Sequence, residues 1–211
     1  MKYQDYVIKN GKFVGEFNLM FKKYKDPWKL LEKNKKTTMI NYRMIIELCK
    51  FIKEKLKKRK ITTLEIGCGF PQISQNLYEN SFSVFGTDIS ENVIQRSRKK
   101  FPKIKKNLFV SDFINFDLYK KINADIIILS DVSWYVLPDL KKFIKWYKKL
   151  KKETFLIHSL AVYGKNKQKY GKKYFYDLKS CKKFFKLNFL SSGNIQHGNE
   201  NHIFFLSTNK R

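Results

Sequence analysis

The run Ile61 to Ser74, ITTLEIGCGFPQIS, sets the terms for the rest of this 211-residue chain. Ile61, Leu64 and Ile66 form a short apolar stretch with no helical period. It closes in Glu65-Ile66-Gly67-Cys68-Gly69, ahead of residues able to open a helix. That order reads as a buried parallel strand emptying into a glycine turn. Two glycines one residue apart let backbone come close to a ligand, and the amides opening the next helix offer donors to a polar or anionic group. A tight strand-to-helix turn with no ligand fits the same residues. The next strand separates the two readings. Phe82 to Thr87 runs into Asp88, about 20 residues past the glycines, where a nucleotide-binding βαβ unit places the carboxylate that holds ribose hydroxyls.

Further strands are expected at Asn107 to Val110, Asp125 to Leu129, Glu153 to His158, Leu187 to Ser192 and Asn201 to Ser207. Asp125 to Leu129 is unbroken in apolar character from Ile126 onward, as a central parallel strand covered on both faces must be. Helices are expected at Thr38 to Lys60, Glu91 to Lys100 behind the capping Ser90, Leu140 to Leu150 and Asp177 to Phe185. In the first of these, Met39, Tyr42, Ile45, Ile46, Cys49, Ile52 and Leu56 make the inner face. The alternation predicts one α/β domain over residues 1–211, a Rossmann-like seven-stranded mixed sheet with helices on both faces. Ahead of the core (38–211), residues 1–37 carry a hairpin signal at Asn10-Gly11 and an amphipathic helix from Gly15 to Tyr24, broken by Asp26-Pro27-Trp28. Neither has a place in the sheet. They suit an N-terminal lid over the strand ends, or a plain extension packed elsewhere.

Length and a 43% hydrophobic composition supply a full core. No apolar run reaches membrane-spanning length and the N-terminus lacks a secretory segment, so no membrane insertion and a cytoplasmic protein are expected. Cys49, Cys68 and Cys181 are too far apart for a metal cluster or a disulfide framework, and no metal is expected. The net charge of +27 raises the question of nucleic acid. Lysines supply nearly all of it, scattered through every exposed segment, while Arg is confined to five positions, 43, 59, 96, 98 and 211. A solvated surface is the better reading, nucleic acid is the less favoured partner, and an anionic small-molecule acceptor is a third possibility. Nothing specifies an oligomer.

LEIGCGFPQIS and VFGTDIS resemble the first two motifs of class I S-adenosylmethionine-dependent methyltransferases; Phe70-Pro71 stands where that pattern has a third glycine. The resemblance implies S-adenosyl-L-methionine as cofactor, S-adenosyl-L-homocysteine as product, and an antiparallel last strand. It implies cofactor contacts from Glu65, Gly67, Gly69, Asp88 and Ile89, from Asp112 and Phe113 at the adenine amine and ring, from Ser130, and from Tyr42 and Arg43 near the cofactor's carboxylate. Asp112 as a turn former remains the alternative. GEFNLMFKKYKDPW resembles the N-terminal signature of small bacterial methyltransferases associated with surface-polysaccharide genes. QKYGKKYF resembles the element after their fifth strand, making Gln168 and Tyr170 acceptor-site candidates.

Residues 130–135 lie at the carboxyl edge beside the switch point, where ligands bind in open α/β sheets. Asp131 suits orienting or deprotonating an acceptor, and Trp134 or Tyr135 suits stacking near a sulfonium. His158, at the end of the fifth strand, is a general-base candidate because its ordinary pKa lies near neutrality, with a structural hydrogen bond as the alternative. His197 and His202 have no spaced partner and read as structural. The resemblance of the N-terminal signature, with the lysine excess, implies O-methylation of a small anionic or nucleotide-linked acceptor, a phosphoramidate or sugar precursor in capsule biosynthesis. An RNA methyltransferase and a non-catalytic S-adenosylmethionine-binding protein are the rivals. Against RNA stands Ser130-Asp131-Val132-Ser133-Trp134, which lacks the Pro-Pro-aromatic element of base-amine methylation.

Overall fold

The computed structural model describes residues 2–31, 36–197 and 200–210; the side chains of 36–39, 197 and 200, and with them Met39 and His197, lie outside the described residues, as do positions 198–199 between the two expected closing strands. A short hairpin, β1 (Ile8–Lys9) and β2 (Lys12–Phe13), precedes helix α1 (Phe17–Lys23). The main sheet contains β3 (Thr62–Ile66), β4 (Ser83–Asp88), β5 (Leu108–Val110), β6 (Ile126–Ser130), β7 (Phe155–Val162), β8 (Asn188–His197) and β9 (Glu200–Thr208), ordered β5-β4-β3-β6-β7-β9-β8. β3 to β7 pair in parallel, and β9 runs antiparallel between β7 and β8. This is the expected seven-stranded mixed sheet.

Strand order reverses between β3 and β6. Helices therefore leave their two carboxyl ends on opposite faces and open a crevice there. One face is covered by α2 (Lys36–Leu56), α3 (Gln72–Glu79) and α4 (Glu91–Lys100), whose Ile45, Cys49, Ile52, Ile73, Leu77 and Ile94 bury against Val84, Ile128 and Ile157. The other carries α5 (Phe116–Ile122), α6 (Leu140–Lys148) and α8 (Leu178–Phe185), with Tyr119, Phe143, Tyr147, Cys181 and Phe185 against Leu64, Leu129, Leu156 and Phe205. Between β7 and α8 lies the four-residue turn of helix α7 (Gly164–Lys167). α5 is not among the helices expected from the sequence; Asn115 caps it by accepting from the Leu118 amide at 3.2 Å.

Three boundaries shift by four residues or more, and the largest shift is that of β8, which reaches His197 rather than ending at Ser192 because Gly193 to His197 pair with Phe204 to Glu200 of β9. α2 stops at Leu56, where Lys57 takes a left-handed φ of 49°, rather than reaching Lys60. β7 runs four residues past His158, because Ser159 to Val162 pair with Phe204 to Asn201 of β9.

The N-terminal segment covers the carboxyl edge of the sheet. The side-chain oxygen of Asn18 accepts from the Asn92 amide at 3.0 Å and from the Asn92 carboxamide at 2.8 Å, capping α4 from outside. Arg96 donates to the Tyr24 carbonyl at 3.0 Å. Phe21 meets Phe70 edge-on at 6.1 Å, Phe17 meets Tyr135 at 5.3 Å, and Phe13 stacks on Tyr170 at 6.4 Å. Asp26 holds the turn that follows by accepting from the amides of Leu30 and Leu31 at 2.9 and 2.7 Å.

Each such bond contributes roughly 0.5–1.5 kcal/mol net. Asn18→Ala, which removes several at once, should therefore speed amide exchange across residues 17–24 about tenfold while leaving β3 to β7 unchanged. Hydrogen-exchange mass spectrometry reads this directly; equal protection in the variant would show that the aromatic contacts alone hold the cover down.

Candidate functional site

The glycine turn leaves β3 and is tied at once to β4, with Gly67 and Cys68 amides donating to the Thr87 carbonyl at 2.8 and 2.9 Å. Gly67 and Gly69 have φ of 71° and 50°, a left-handed backbone that side chains rarely adopt. A Cβ at Gly67 would lie 3.0 Å from the Cβ of Val132 and closer still to its methyl. Glycine is therefore needed at 67 to seat the loop on the exit of β6, whatever else it admits. At Gly69 the nearest atom to such a Cβ is a Leu30 methyl of the N-terminal cover, at 3.4 Å.

Asp88 closes this loop. Its Oδ2 accepts from the Gly69 amide and its Oδ1 from the Ser90 amide, each at 2.9 Å. Burial raises its pKa against the lowering effect of those amides. Glu65, buried beneath the turn, accepts from the Ser74 amide at 3.1 Å and the Ser74 hydroxyl at 2.5 Å, satisfying the first turn of α3. Burial pushes its carboxyl up to about 7.

One strand further out, Ile89 is 53% exposed beside Asp88. Asp112 is exposed at the end of β5, and its Oδ1 accepts from the Ile114 amide at 3.0 Å, so the turn-forming role is present. Phe113 departs from expectation. Its ring is 7% exposed and packs on Phe143 at 5.3 Å, so it belongs to the core and presents no face to a ligand.

On the other side of the switch point, Ser130 ends β6 opposite Ser159, and Asp131 follows with a left-handed φ of 53°. Asp131 Oδ1 accepts from the Ala161 amide at 2.8 Å and lies 4.0 Å from His202 Nδ1. The same ring nitrogen is 2.6 Å from the Asn41 carboxamide, whose oxygen is buried without a hydrogen-bond partner. Tyr42 is next along α2; burial, then the carboxylates of Glu65, Asp131 and Asp26, push its phenol well up. Arg43, one position on, is exposed on α2. Tyr135 sits under Phe17 and Trp28, its phenol raised by burial and then by Asp131.

His158 is not at this edge. The extension of β7 makes it a mid-strand residue on the α8 face, fully buried, stacked on Phe205 at 4.7 Å and bonded through Nε2 to the Ser133 hydroxyl at 2.8 Å. Burial holds its imidazole down to about 3, so it is neutral and out of reach of a substrate, which corrects the general-base reading. Trp134 is likewise a core group. It donates to the Ala161 carbonyl at 2.8 Å and packs on Phe175 at 4.9 Å. Gln168 is 6% exposed and spends its carboxamide on its own loop, donating to the Tyr170 carbonyl at 2.5 Å and accepting from the Tyr163 amide at 3.3 Å. Tyr170 stays half-buried against Phe13.

Asn41 and His202 are the residues that sequence reasoning missed or misread. They lie 161 positions apart, and only the antiparallel return of β9 brings His202 opposite Ala161 and under the start of α2. No local spacing encodes that meeting.

Among the described residues no group of His, Cys, Asp and Glu could hold a metal ion, and no helix is long and apolar enough to cross a membrane. Residues 64–157 match the family model described as a methyltransferase domain. No curated protein matches. Among solved structures, N-methyltransferase NodS from Bradyrhizobium japonicum WM9, in complex with S-adenosyl-L-homocysteine, is 14% identical, with 93% of this chain and 97% of that chain covered and a TM-score of 0.64. Magnesium protoporphyrin IX methyltransferase (ChlM) from Synechocystis PCC 6803, with bound SAM, is 14% identical over 82% of each chain, with a TM-score of 0.58. The bifunctional kinase-methyltransferase WbdD is 15% identical over 85% of this chain and 40% of that one, with a TM-score of 0.60. The fold is thus the Rossmann-like fold of these methyltransferases, and the methyltransferase-domain match runs from within β3 to within β7.

Proposed function

We propose that this chain is an S-adenosylmethionine-dependent methyltransferase, a cytoplasmic enzyme that methylates a hydroxyl of a small anionic or nucleotide-linked acceptor in capsule assembly. The observation that carries the reading is the row at the ends of β3, β4 and β5: a glycine turn braced by Asp88, an exposed Ile89, and an exposed Asp112. A nucleoside needs such a row. Asp88 suits the ribose hydroxyls, Ile89 one face of a purine, and Asp112 an exocyclic amine, which a carboxylate accepts from. When bound, the cofactor supplies an electrophilic methyl group on a sulfonium. The resemblance of the N-terminal and 168–175 segments to surface-polysaccharide methyltransferases, together with the lysine excess, supports the acceptor class.

This chain's own residues contribute position and proton handling. The Asp131 carboxylate acts electrostatically on the Tyr42 and Tyr135 phenols, and Asp131 with His202 Nδ1, 4.0 Å apart, suits holding an acceptor hydroxyl and taking its proton. Asn41 fixes the His202 ring through that same nitrogen, Nδ1, at 2.6 Å. Most of the rate enhancement would come from alignment of acceptor oxygen and methyl carbon under the N-terminal cover.

Titration calorimetry with S-adenosyl-L-homocysteine tests the cofactor site. Binding is expected, weakened at least tenfold in Asp88→Asn, and an absence of heat in a folded wild type removes the reading. For proton handling, His202→Gln should cut tritium transfer from labelled cofactor to nucleotide-activated sugars by about 100-fold or more, the scale of general-base loss. His158→Phe, which removes only a core imidazole, should stay within about threefold; the opposite ranking would return the base to His158. Glu65 gives a stability test. Its folded pKa of about 7 lies above the unfolded value, so the folded state holds a proton that the unfolded chain releases from about pH 4.5 upward. The stability this contributes is full below pH 4.5 and lost as pH rises through 7, a change of about 3 kcal/mol. Glu65→Gln should lack that decline when urea unfolding is compared at pH 4.5 and 7.5.

A further inference from the structure

A groove of about 390 Å³ lies beside the acceptor loop, walled by Lys169, Lys172, Lys173 and Tyr174, with Gly11 of the N-terminal hairpin and Pro138 of the β6–α6 connection closing its sides. Its size falls within the range of small-molecule sites. The three lysines are exposed, and none forms an ion pair among the described residues. The acidic groups closest in sequence are engaged elsewhere: Asp139 pairs with Lys142 at 2.8 Å, and Asp177 caps α8 through the Ser180 amide at 2.7 Å. Among the described residues, therefore, no ion pair offsets the positive charge of the groove, and the Lys173 ammonium lies over the Tyr174 ring at 5.5 Å.

The backbone that carries these lysines is held rigidly. Gln168 binds both the start and the middle of the loop, at the Tyr163 amide and the Tyr170 carbonyl. Gly171, with φ of 72°, presses so closely on Leu137 and Trp134 that a Cβ would fall 2.7 Å from the leucine methyl. The Tyr174 amide donates back to the Gly171 carbonyl at 2.8 Å, and Phe175 anchors the far end against Trp134. A braced loop that presents like charges at one spot has met the ordering cost of an anion site before the anion arrives. Tyr170 belongs to both regions. It lines the groove, and its ring stacks on Phe13 of the cover that reaches Tyr135 through Phe17.

We infer that this groove binds the phosphate or diphosphate group of a small acceptor, holding its anionic end outside the cover while the group to be methylated lies at Asp131. The inference rests on the methyltransferase reading for what the anion belongs to, not for whether an anion binds. A bounded groove on one short loop suits a compact phosphoanion better than a polynucleotide, which needs a track of charges along the surface.

Calorimetry on the full chain with pyrophosphate and with uridine diphosphate, at fixed ionic strength, tests it. Saturable binding is expected, weakened at least tenfold in Lys172→Glu/Lys173→Glu and less than twofold in Lys99→Glu/Lys100→Glu, a charge-matched change on the exposed end of α4. Equal weakening in the two variants would assign the heat to the overall charge of +27 and overturn the site, as would no binding. A tRNA that displaces pyrophosphate and loses affinity equally in both variants would overturn it in favour of a nucleic-acid face. S-adenosyl-L-homocysteine titrated into the same samples keeps the two readings apart: its binding with no pyrophosphate heat removes the groove alone, and the reverse removes the methyltransferase reading alone.

Discussion

The structure depends on one carboxylate joining two strand ends. Asp88 takes the Gly69 amide with one oxygen and the Ser90 amide with the other, so the glycine turn after β3 and the helix start after β4 are held by a single side chain. Both turns sit at the edge where strand order reverses, and the backbone there can be left-handed because glycine stands at 67 and 69. The N-terminal cover rests on the result. Leu30 lies over Gly69, its carbonyl accepts from the Gln72 side chain, and Phe21 meets Phe70.

Much of this was legible in the sequence because it is written in short-range pattern. An apolar run closed by Gly67-Cys68-Gly69, a second strand ending in Asp88, and the unbroken Ile126-Ile127-Ile128-Leu129 specify buried parallel strands, and each lies in the central sheet. The aromatic stripe Phe17, Phe21 and Tyr24 similarly foretold a helix with one sticky face, though its neighbours Tyr135, Trp28 and Phe70 could not be named from it.

What was illegible depends on where strands end and which face a residue takes. His158 looked terminal because Ser159 interrupts the apolar run, yet the partner strand β9 continues the ladder to Val162, and the pleat turns His158 toward Phe185 and Phe205. Even positions on β9 take the other face, so His202 lies under α2 beside Asn41 while Phe205 lies against His158. Two histidines of similar sequence appearance thus have unlike surroundings: one is sealed in hydrocarbon, the other shares a polar corner with Asp131. Trp134 shows the same effect, its indole drawn inward by the Ala161 carbonyl and Phe175.

The cover touches the molecule at two distant places, through Phe21 on Phe70 by the glycine turn and through Phe13 on Tyr170 by the lysine-bearing loop. Between them Phe17 joins Phe13 to Tyr135. A single aromatic chain therefore bridges both halves of the crevice, and lifting it at one end strains its contacts at the other. On the proposed reading, the nucleoside half and the acceptor half lie under this one cover, so neither side of the cleft has a door of its own.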